Sequence, residues 1–147
     1  MIQDLYIKTI NKNEDERGWL SELQRADTDI QSSMCYMSFT KNGVIRIPRE
    51  HKEQTNFFVF VGTGNFELYL WDNRKSSETY GVDGKLIVGE SNPVSVSIPP
   101  GVIYGLKSIS KDGSFCINLP NRLYKGVLKS FDTDEIRYEN NSKFIIK

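Results

Sequence analysis

Residues 43–72, GVIRIPREHKEQTNFFVFVGTGNFELYLWD, decide the fold that this sequence predicts. The apolar run at residues 57–61 ends at a pair of glycines, and residues 66–71 then alternate large apolar side chains with others. Runs of this length bounded by glycines are typical of two strands separated by a tight turn. We expect the polar cluster at residues 46–54 to lead into the first strand and to form a small-molecule site on a rigid sheet.

The rest of the chain repeats this pattern of short apolar segments separated by Gly, Pro and Asn, and no segment shows a clear helical period. A hairpin turn is predicted at residues 41–43. Strands at this spacing are typical of antiparallel sandwiches and barrels, so the predicted fold class is all-β. The other predicted strands are residues 5–10, 18–23, 34–39, 44–46, 85–88, 94–98, 102–109 and 114–119.

Composition limits the kinds of protein that the chain can be. At 147 residues it is predicted to be one domain, residues 1–147, with residues 125–147 as a peripheral tail or an added edge strand. The 19 basic and 19 acidic residues cancel, which argues against a nucleic-acid partner. No apolar window approaches the ~18 residues of a membrane span, and the first residues lack a signal pattern. We therefore expect a soluble, cytoplasmic protein without a membrane partner.

Cysteine and histidine usage gives no support for a metal site. Cys35 and Cys116 lie in apolar segments and are predicted to be reduced core residues rather than a disulfide. A single histidine and two distant thiols do not form a zinc-binding pattern, so no metal ligand is predicted. Trp19 and Phe57 are also predicted to pack in the core rather than to stack on a base.

Four short segments, taken in chain order, resemble motifs of one enzyme family. The segments are DERGWLSE at 15–22, VIR at 44–46, DNRKSSETYG at 72–81 and IPPGVIYG at 98–105. Over roughly residues 5–125 the sequence is similar to the dTDP-4-dehydrorhamnose 3,5-epimerase family. The resemblance implies a cupin-type jelly-roll fold and a homodimer whose early segment reaches the partner's nucleotide.

The resemblance also implies a reaction. A base removes the proton beside the ketone of a dTDP-4-keto-6-deoxyhexose, an enolate forms, and an acid on the opposite face returns a proton at carbon 3, carbon 5 or both. No cofactor is implied. The products serve surface polysaccharide or deoxysugar biosynthesis.

The sequence departs from the family pattern at three positions. Arg49 occupies the position of the family's basic histidine, and His51 follows two residues later. The family lysine corresponds to Phe57, and the histidine of the proline-rich turn corresponds to Tyr104. Sugar 3,4-ketoisomerases carry a similar H-x-H-K pattern with a following glutamine, here Gln54. A ketoisomerase, or a degenerate cupin that binds a sugar nucleotide or a partner protein without turnover, therefore remains an alternative.

The candidate base and the candidate phosphate ligands follow from side-chain chemistry. His51 is the only side chain of a type that changes charge between pH 5 and 8, and the alternative is a surface histidine. A guanidinium is too basic to remove protons, so Arg49 is predicted to hold a diphosphate or an enolate oxygen. Arg17, Arg46 and Arg74 are predicted diphosphate ligands, since guanidinium groups bind phosphate oxygens in pairs.

Four further residues are candidates with open alternatives. Asp72 is predicted to orient His51 or bind a sugar hydroxyl, and otherwise to cap its own turn or Arg74. Tyr104 and Tyr124 are candidate acids, although core tyrosines with satisfied hydroxyls are common. Glu22 is predicted to bind a nucleobase across a dimer or to form a salt bridge.

Overall fold

A computed structural model describes residues 1–147 as an all-β protein, which confirms the predicted fold class. One short 3₁₀ turn spans Val127–Lys129, and no helix has the length and apolar character needed to cross a membrane. The strands are β1 (Tyr6–Thr9), β2 (Asn13–Asp15), β3 (Gly18–Leu20), β4 (Tyr36–Thr40), β5 (Ile45–His51), β6 (Asn56–Phe60), β7 (Asn65–Asp72), β8 (Asp83–Gly89), β9 (Val94–Ile98), β10 (Val102–Ser108), β11 (Ser114–Asn118) and β12 (Glu135–Arg137).

Two five-stranded antiparallel sheets contain most of these strands. The first has the order β1-β9-β6-β11-β4 and the second the order β12-β5-β10-β7-β8, while β2 and β3 form a separate hairpin. The main apolar core draws on strands of both sheets, including Phe60 from the first and Phe66 from the second. This arrangement is the predicted cupin-type jelly roll, and the main cavity described below opens beside β5.

Alternation along β7 and β9 explains which face of each strand packs in the core. Phe66, Leu68 and Leu70 alternate with half-buried neighbours and are almost fully buried. Val94 and Val96 on β9 belong to the same core cluster. Each such side chain contributes about 1.5–3 kcal/mol when it leaves water, so the alternating face determines which side of the strand turns inward.

The predicted tight turns exist, but they do not close hairpins. Strand β6 lies in the first sheet and β7 in the second, so the turn at Gly62–Gly64 carries the chain between sheets. The predicted hairpin at residues 41–43 is wrong for the same reason, because β4 and β5 also belong to different sheets. Turn residues indicate where the chain reverses direction, but they do not indicate which strands pair with each other. Gly64 is required here, since a Cβ would lie 2.2 Å from the carbonyl oxygen of Gly113.

The polar cluster at residues 46–54 is largely part of a strand rather than a segment that leads into one. Strand β5 runs through Pro48 to His51 and pairs with β10. The register of that pair shifts between the contacts of Arg49 and Arg46, which leaves Pro48 beside an irregularity where its missing N–H is tolerated. Strand β2 lies between the strands predicted at residues 5–10 and 18–23, where no strand was predicted.

Two predicted core residues lie at the surface. Cys35 is exposed, whereas Cys116 is buried as expected, and both are free thiols. Trp19 is half exposed on the β2–β3 hairpin, where the Lys12 ammonium lies 4.7 Å from its ring centroid. Both residues lie in short apolar runs of the sequence. Such a run does not indicate whether another part of the chain packs over these side chains and buries them.

Residues 134–147, which we call the strap, cover the outer face of the second sheet. Strand β12 pairs with the edge of β5, and Phe144 packs its ring edge against Trp71 and Tyr138. Beneath the strap, the buried carboxylate of Glu50 accepts hydrogen bonds from Tyr138 and from Asn73. These contacts fix the position of the strap relative to β5, the strand that ends at His51.

Candidate active site

A cavity of about 710 Å³ opens beside the end of β5. Its walls come from β5, from Tyr36 at the start of β4, from the loop that follows β11, and from the start of the strap. The residues that carry its chemistry are Tyr36, Arg49, His51, Gln54, Arg122, Tyr124, Lys125, Asp134, Glu135 and Arg137. No group of three or more His, Cys, Asp or Glu side chains is arranged to hold a metal ion.

His51 forms a close pair with Asp134 in the wall of this cavity. The imidazole is 7% exposed, and its Nδ1 lies 2.9 Å from Oδ1 of Asp134. The other carboxylate oxygen accepts the backbone N–H groups of Glu53 at 3.1 Å and Gln54 at 3.0 Å. Because both carboxylate oxygens have partners, the aspartate holds the ring in one orientation with Nε2 turned away from it.

The charge state of Asp134 suits this role. Burial alone would raise the pKa of its carboxyl, but the hydrogen bond and charge of His51 and the backbone N–H bonds outweigh burial and hold the pKa below its ordinary value. The group is therefore a carboxylate at neutral pH. It accepts a hydrogen bond from Nδ1–H, and in the tautomer that makes this bond the lone pair of the imidazole is on Nε2.

Two polar groups approach Nε2 without blocking it. The hydroxyl of Tyr104 and the amide nitrogen of Gln54 each lie 3.4 Å from this atom, which is long for a hydrogen bond. Burial raises the pKa of the Tyr104 phenol well above its ordinary value, so it stays protonated. The Gln54 amide also donates to Asn56 at 3.0 Å, which fixes its own position.

Arg49 lies in the same wall and is held by the strap. Its guanidinium is 3.2 Å from the Glu135 carboxylate, and both side chains are mostly buried. The position that the resemblance assigns to a basic histidine therefore supplies a fixed positive charge to the cavity. Further cations line the opening, of which Arg122 pairs with Glu53, Arg137 pairs with Glu135, and Lys125 lies beside the Tyr124 ring.

The three predicted phosphate ligands do not line this cavity. Arg46 bonds Thr40 at 2.8 Å and the Phe39 carbonyl at 2.9 Å, and it lines a small recess that shares Arg49 with the cavity. The Arg17 side chain bonds Asp15 on the exposed hairpin.

Asp72 and Arg74 form a separate cluster, so the prediction that Asp72 orients His51 is wrong. The Asp72 carboxylate, 2% exposed, binds the Arg74 guanidinium at 2.8–2.9 Å and the hydroxyls of Ser77 and Thr79 at 2.7 and 2.6 Å. Arg74 also reaches the Gln3 carbonyl and so ties the first residues to this turn. This is the alternative in which Asp72 caps Arg74 and its own loop.

The remaining candidates divide between the cavity and the surface. Tyr124 lines the cavity and is about half exposed, while Glu22 forms a salt bridge with Arg25 near the β2–β3 hairpin. Phe57 is buried as predicted, but it packs in the outer cluster with Val59 and faces away from the main core. The next residue, Phe58, faces inward with its ring 5.2 Å from Tyr104.

Sequence reasoning missed Asp134, Tyr36 and the cations of the loop. Asp134 lies in the segment predicted to be a peripheral tail or an added edge strand, and nothing in its composition connects it to a histidine 83 positions earlier. Tyr36 lies in the strand predicted at residues 34–39. The one feature of the sequence that could have identified Tyr36 as a site residue is its place near the start of a predicted strand, because side chains at strand ends can reach the opening of a barrel.

Comparison with known proteins identifies the family of this chain. A family model described as dTDP-4-dehydrorhamnose 3,5-epimerase matches residues 1–136. The chain belongs to this family. The family comprises isomerase-class enzymes that epimerise dTDP-linked sugars, which confirms the predicted epimerase class and the family resemblance.

Two curated relatives support the assignment. The Haloferax volcanii protein named "Probable low-salt glycan biosynthesis epimerase Agl13" is 35% identical over 127 residues, which span 84% of this chain and 81% of the relative. The spore coat polysaccharide biosynthesis protein SpsL of Bacillus subtilis is 32% identical over 113 residues, which span 76% of this chain and 74% of the relative.

Solved structures of family members share the fold. A dTDP sugar isomerase from Desulfovibrio desulfuricans G20 superimposes with a TM-score of 0.84 at 20% identity, covering 99% of this chain and 90% of the other. ChmJ from Streptomyces bikiniensis, a 3'-monoepimerase crystallised as a double mutant with dTDP, gives 0.79 at 17% identity, with 95% and 71% covered. At these identities the likeness establishes the jelly-roll fold.

Proposed function

We propose that this chain epimerises a dTDP-4-keto-6-deoxyhexose at carbon 3, carbon 5 or both, with His51 as the base. The observation that carries the proposal is the His51–Asp134 pair, in which Nδ1 is bonded to the carboxylate and Nε2 remains as the ring nitrogen that can accept a proton, in the wall of a cavity large enough for a hexose. A proton beside a ketone is acidic enough for an imidazole to remove when the resulting enolate is stabilised. When the ring takes that proton, the Asp134 carboxylate stabilises its positive charge.

Arg49 supplies the stabilising charge in this proposal. Its guanidinium cannot accept the proton, but it is fixed by Glu135 in the same wall as His51 and is suited to bind an oxygen that becomes negative. An Arg49 that binds the enolate oxygen would do so from the position to which the resemblance assigns a basic histidine. The arginine at this position then changes the chemistry of the site without abolishing it.

Tyr124 is the proposed acid. It belongs to the loop that follows β11, and its phenol lines the cavity, so a hexose bound beside β5 would have its other face towards this loop. Tyr104 is less suited, because its hydroxyl approaches the same Nε2 atom as the substrate and lies on the side of the base. We assign Tyr104 to binding the imidazolium after proton removal.

The diphosphate is proposed to bind the cations at the opening of the cavity, which are Arg122, Lys125 and Arg137. Arg17 and Glu22 remain proposed contacts to the nucleotide of a second subunit in a homodimer. The exposed side chains of Trp19 and Leu20 on the same hairpin support this, since this chain itself leaves them uncovered. Two unpaired thiols fit a reducing compartment such as the cytoplasm.

The experiment that tests the function is solvent exchange. The protein is incubated with dTDP-4-keto-6-deoxyglucose in deuterated water, and deuterium is located by NMR and mass spectrometry. Deuterium at carbon 3 or carbon 5 together with an inverted product is expected. A ketone that has moved to carbon 3 would instead indicate a ketoisomerase. Measurable binding without deuterium at either carbon would show a protein that binds the sugar nucleotide without turnover.

A further inference from the structure

Tyr36 is a second tyrosine of the cavity, and its hydroxyl is held by a buried amide. The Asn118 side-chain nitrogen donates to the Tyr36 hydroxyl oxygen at 2.7 Å. Asn118 is 1% exposed, so the hydroxyl lies at the inner end of a residue that is 43% exposed as a whole. Tyr36 lines both the large cavity and the small recess behind it, as Arg49 does.

The direction of this hydrogen bond decides what the hydroxyl can do. The same Asn118 nitrogen donates to Asn56 at 2.8 Å, and the Gln54 amide donates to the same Asn56 oxygen at 3.0 Å. Both donors point at one acceptor, which fixes the orientation of the Asn118 amide with its nitrogen towards Tyr36. Since the Tyr36 oxygen accepts, its own proton is not used within the protein and is available to an acceptor in the cavity.

The same row of amides connects Tyr36 to the base. From Tyr36 it passes through Asn118, Asn56 and Gln54 to Nε2 of His51, and its three amide residues are all buried. Asn118 Oδ1 has no partner, and breaking any bond of the row would leave a further buried group unsatisfied, so these amides restrict the movement of their neighbours. The phenol and the imidazole therefore have a fixed separation across the cavity.

We propose that Tyr36 donates its hydroxyl hydrogen bond to the carbonyl oxygen of the substrate ketone, and that Arg49 and Tyr36 together stabilise the enolate. The inference rests on the proposed function, since it names the donor that the epimerisation requires. Asn118 is then a positioning residue, because it acts only through Tyr36. Tyr36 keeps its proton throughout, and no covalent bond forms or breaks at the phenol.

The electrostatics of the phenol agree with a donor that does not ionise. Burial raises the pKa of the Tyr36 hydroxyl above its ordinary value, and the Asn118 hydrogen bond and the Arg49 charge only partly offset this. A hydrogen bond donor held in place before the reaction contributes most where negative charge develops, which for this reaction is the ketone oxygen. A donor to a sugar hydroxyl would stabilise substrate and transition state equally and would change KM alone.

The test measures ketone polarisation separately from turnover. In a His51→Asn background, which binds substrate without removing its proton, the carbonyl stretch of dTDP-4-keto-6-deoxyglucose labelled with ¹³C at carbon 4 is recorded by infrared difference spectroscopy. We expect adding Tyr36→Phe to move this band to higher wavenumber, because a hydrogen bond to the oxygen is lost. In the otherwise unaltered enzyme, Tyr36→Phe is expected to lower kcat by about 10²–10³-fold with a much smaller change in KM.

The matched control is Tyr6→Phe, which removes the same oxygen from an exposed residue of β1 outside the cavity. It is expected to leave the band and kcat unchanged. A band at the same wavenumber with and without Tyr36→Phe overturns the inference, and so does a Tyr36→Phe enzyme whose kcat equals that of the parent. The band is read without turnover, so a parent protein that shows no deuterium exchange would contradict the proposed function while the infrared comparison still decides the role of Tyr36.

Discussion

Asp134 follows His51 by 83 positions in the chain, yet its carboxylate lies 2.9 Å from Nδ1 of that imidazole. The contact exists because β12 pairs with the edge of β5, with Glu135 opposite His51. Orientation of the base therefore depends on a strand that contributes little to the core. The pair can be disturbed without disturbing the barrel.

Replacing Asp134 by Asn tests this dependence. The amide is similar in shape, but it cannot stabilise a protonated imidazole and it can favour the wrong tautomer. We expect kcat for epimerisation to fall by about 10²–10⁴-fold while substrate affinity, measured by calorimetry, changes little. Asp132→Asn is the control, since Asp132 lines the same cavity and forms no such pair with His51. Equal rates for the two variants would remove Asp134 from the mechanism.

Tyr124→Phe separates removal of the proton from its return. The base still functions in this variant. Deuterium from solvent is therefore expected to enter the substrate at the carbon from which His51 removes the proton. Formation of the inverted product is expected to fall by about 10²–10⁴-fold, because no acid serves the other face. Tyr80→Phe, at a half-exposed position outside the cavity, is the control. Normal inversion by Tyr124→Phe would assign the acid to another residue, with Tyr104 the next to test.

The Asp72–Arg74 cluster predicts a specific acid sensitivity of the fold. Burial would raise the pKa of Asp72, but Arg74 and the two hydroxyls outweigh it and lower the pKa strongly. Because the folded pKa is lowered, the stability that the carboxylate contributes is complete above its ordinary pKa of about 3.9 and is lost as the pH falls below that value. Asp72→Asn is expected to cost about 3 kcal/mol in the free energy of unfolding at pH 7.

The measurement is urea unfolding from pH 7 down to about pH 2. The difference between the parent and Asp72→Asn is expected to shrink towards the acid end, because the unfolded parent binds a proton at Asp72 there while the folded parent keeps this carboxylate ionised. Asp112→Asn, at an exposed turn residue, should follow the parent at every pH. A difference that stays constant with pH would show that Asp72 acts through packing rather than charge.

The anchor of the strap predicts a link between stability and catalysis. Phe144 is 6% exposed and packs against Trp71 and Tyr138. Phe144→Ala is expected to cost about 3–5 kcal/mol if the barrel unfolds with the strap. Amide hydrogen exchange at residues 135–138 should accelerate, and kcat should fall because Asp134 is held less firmly. Leu128→Ala, at a side chain that is almost fully exposed, provides the control. An unchanged exchange rate in the strap would contradict this link.

The sequence predicted best the strands in which apolar side chains occur at every second residue. The boundaries of β9 were predicted correctly and those of β7 to within one residue at each end, because inward and outward residues alternate there without interruption. Pairing between strands was harder to predict. The turns at residues 41–43 and 62–64 report a reversal of the chain, but in a jelly roll the next strand often belongs to the opposite sheet.

The site was predictable only where its residues are close in sequence. His51, Arg49 and Gln54 lie within six positions and reach one cavity, as the polar cluster suggested. Asp134 joins them through strand pairing that no local pattern encodes. Arg74 has the right chemistry for a phosphate ligand, but its guanidinium is mostly buried and is bound by the buried carboxylate of Asp72, two residues away. Phe57 shows a third limit, because adjacent residues of a strand face opposite sides of the sheet, and Phe57 lies in the outer cluster while Phe58 lies in the main core.

The place of Asp134 directly before the twelfth strand has a consequence for how the protein is made. The ribosome synthesises nine of the ten strands of the two sheets before it reaches residue 134. A nascent chain can therefore bury its apolar interior while its imidazole still lacks its carboxylate partner. Activity is acquired after folding of the barrel, when the last strand is added beside β5.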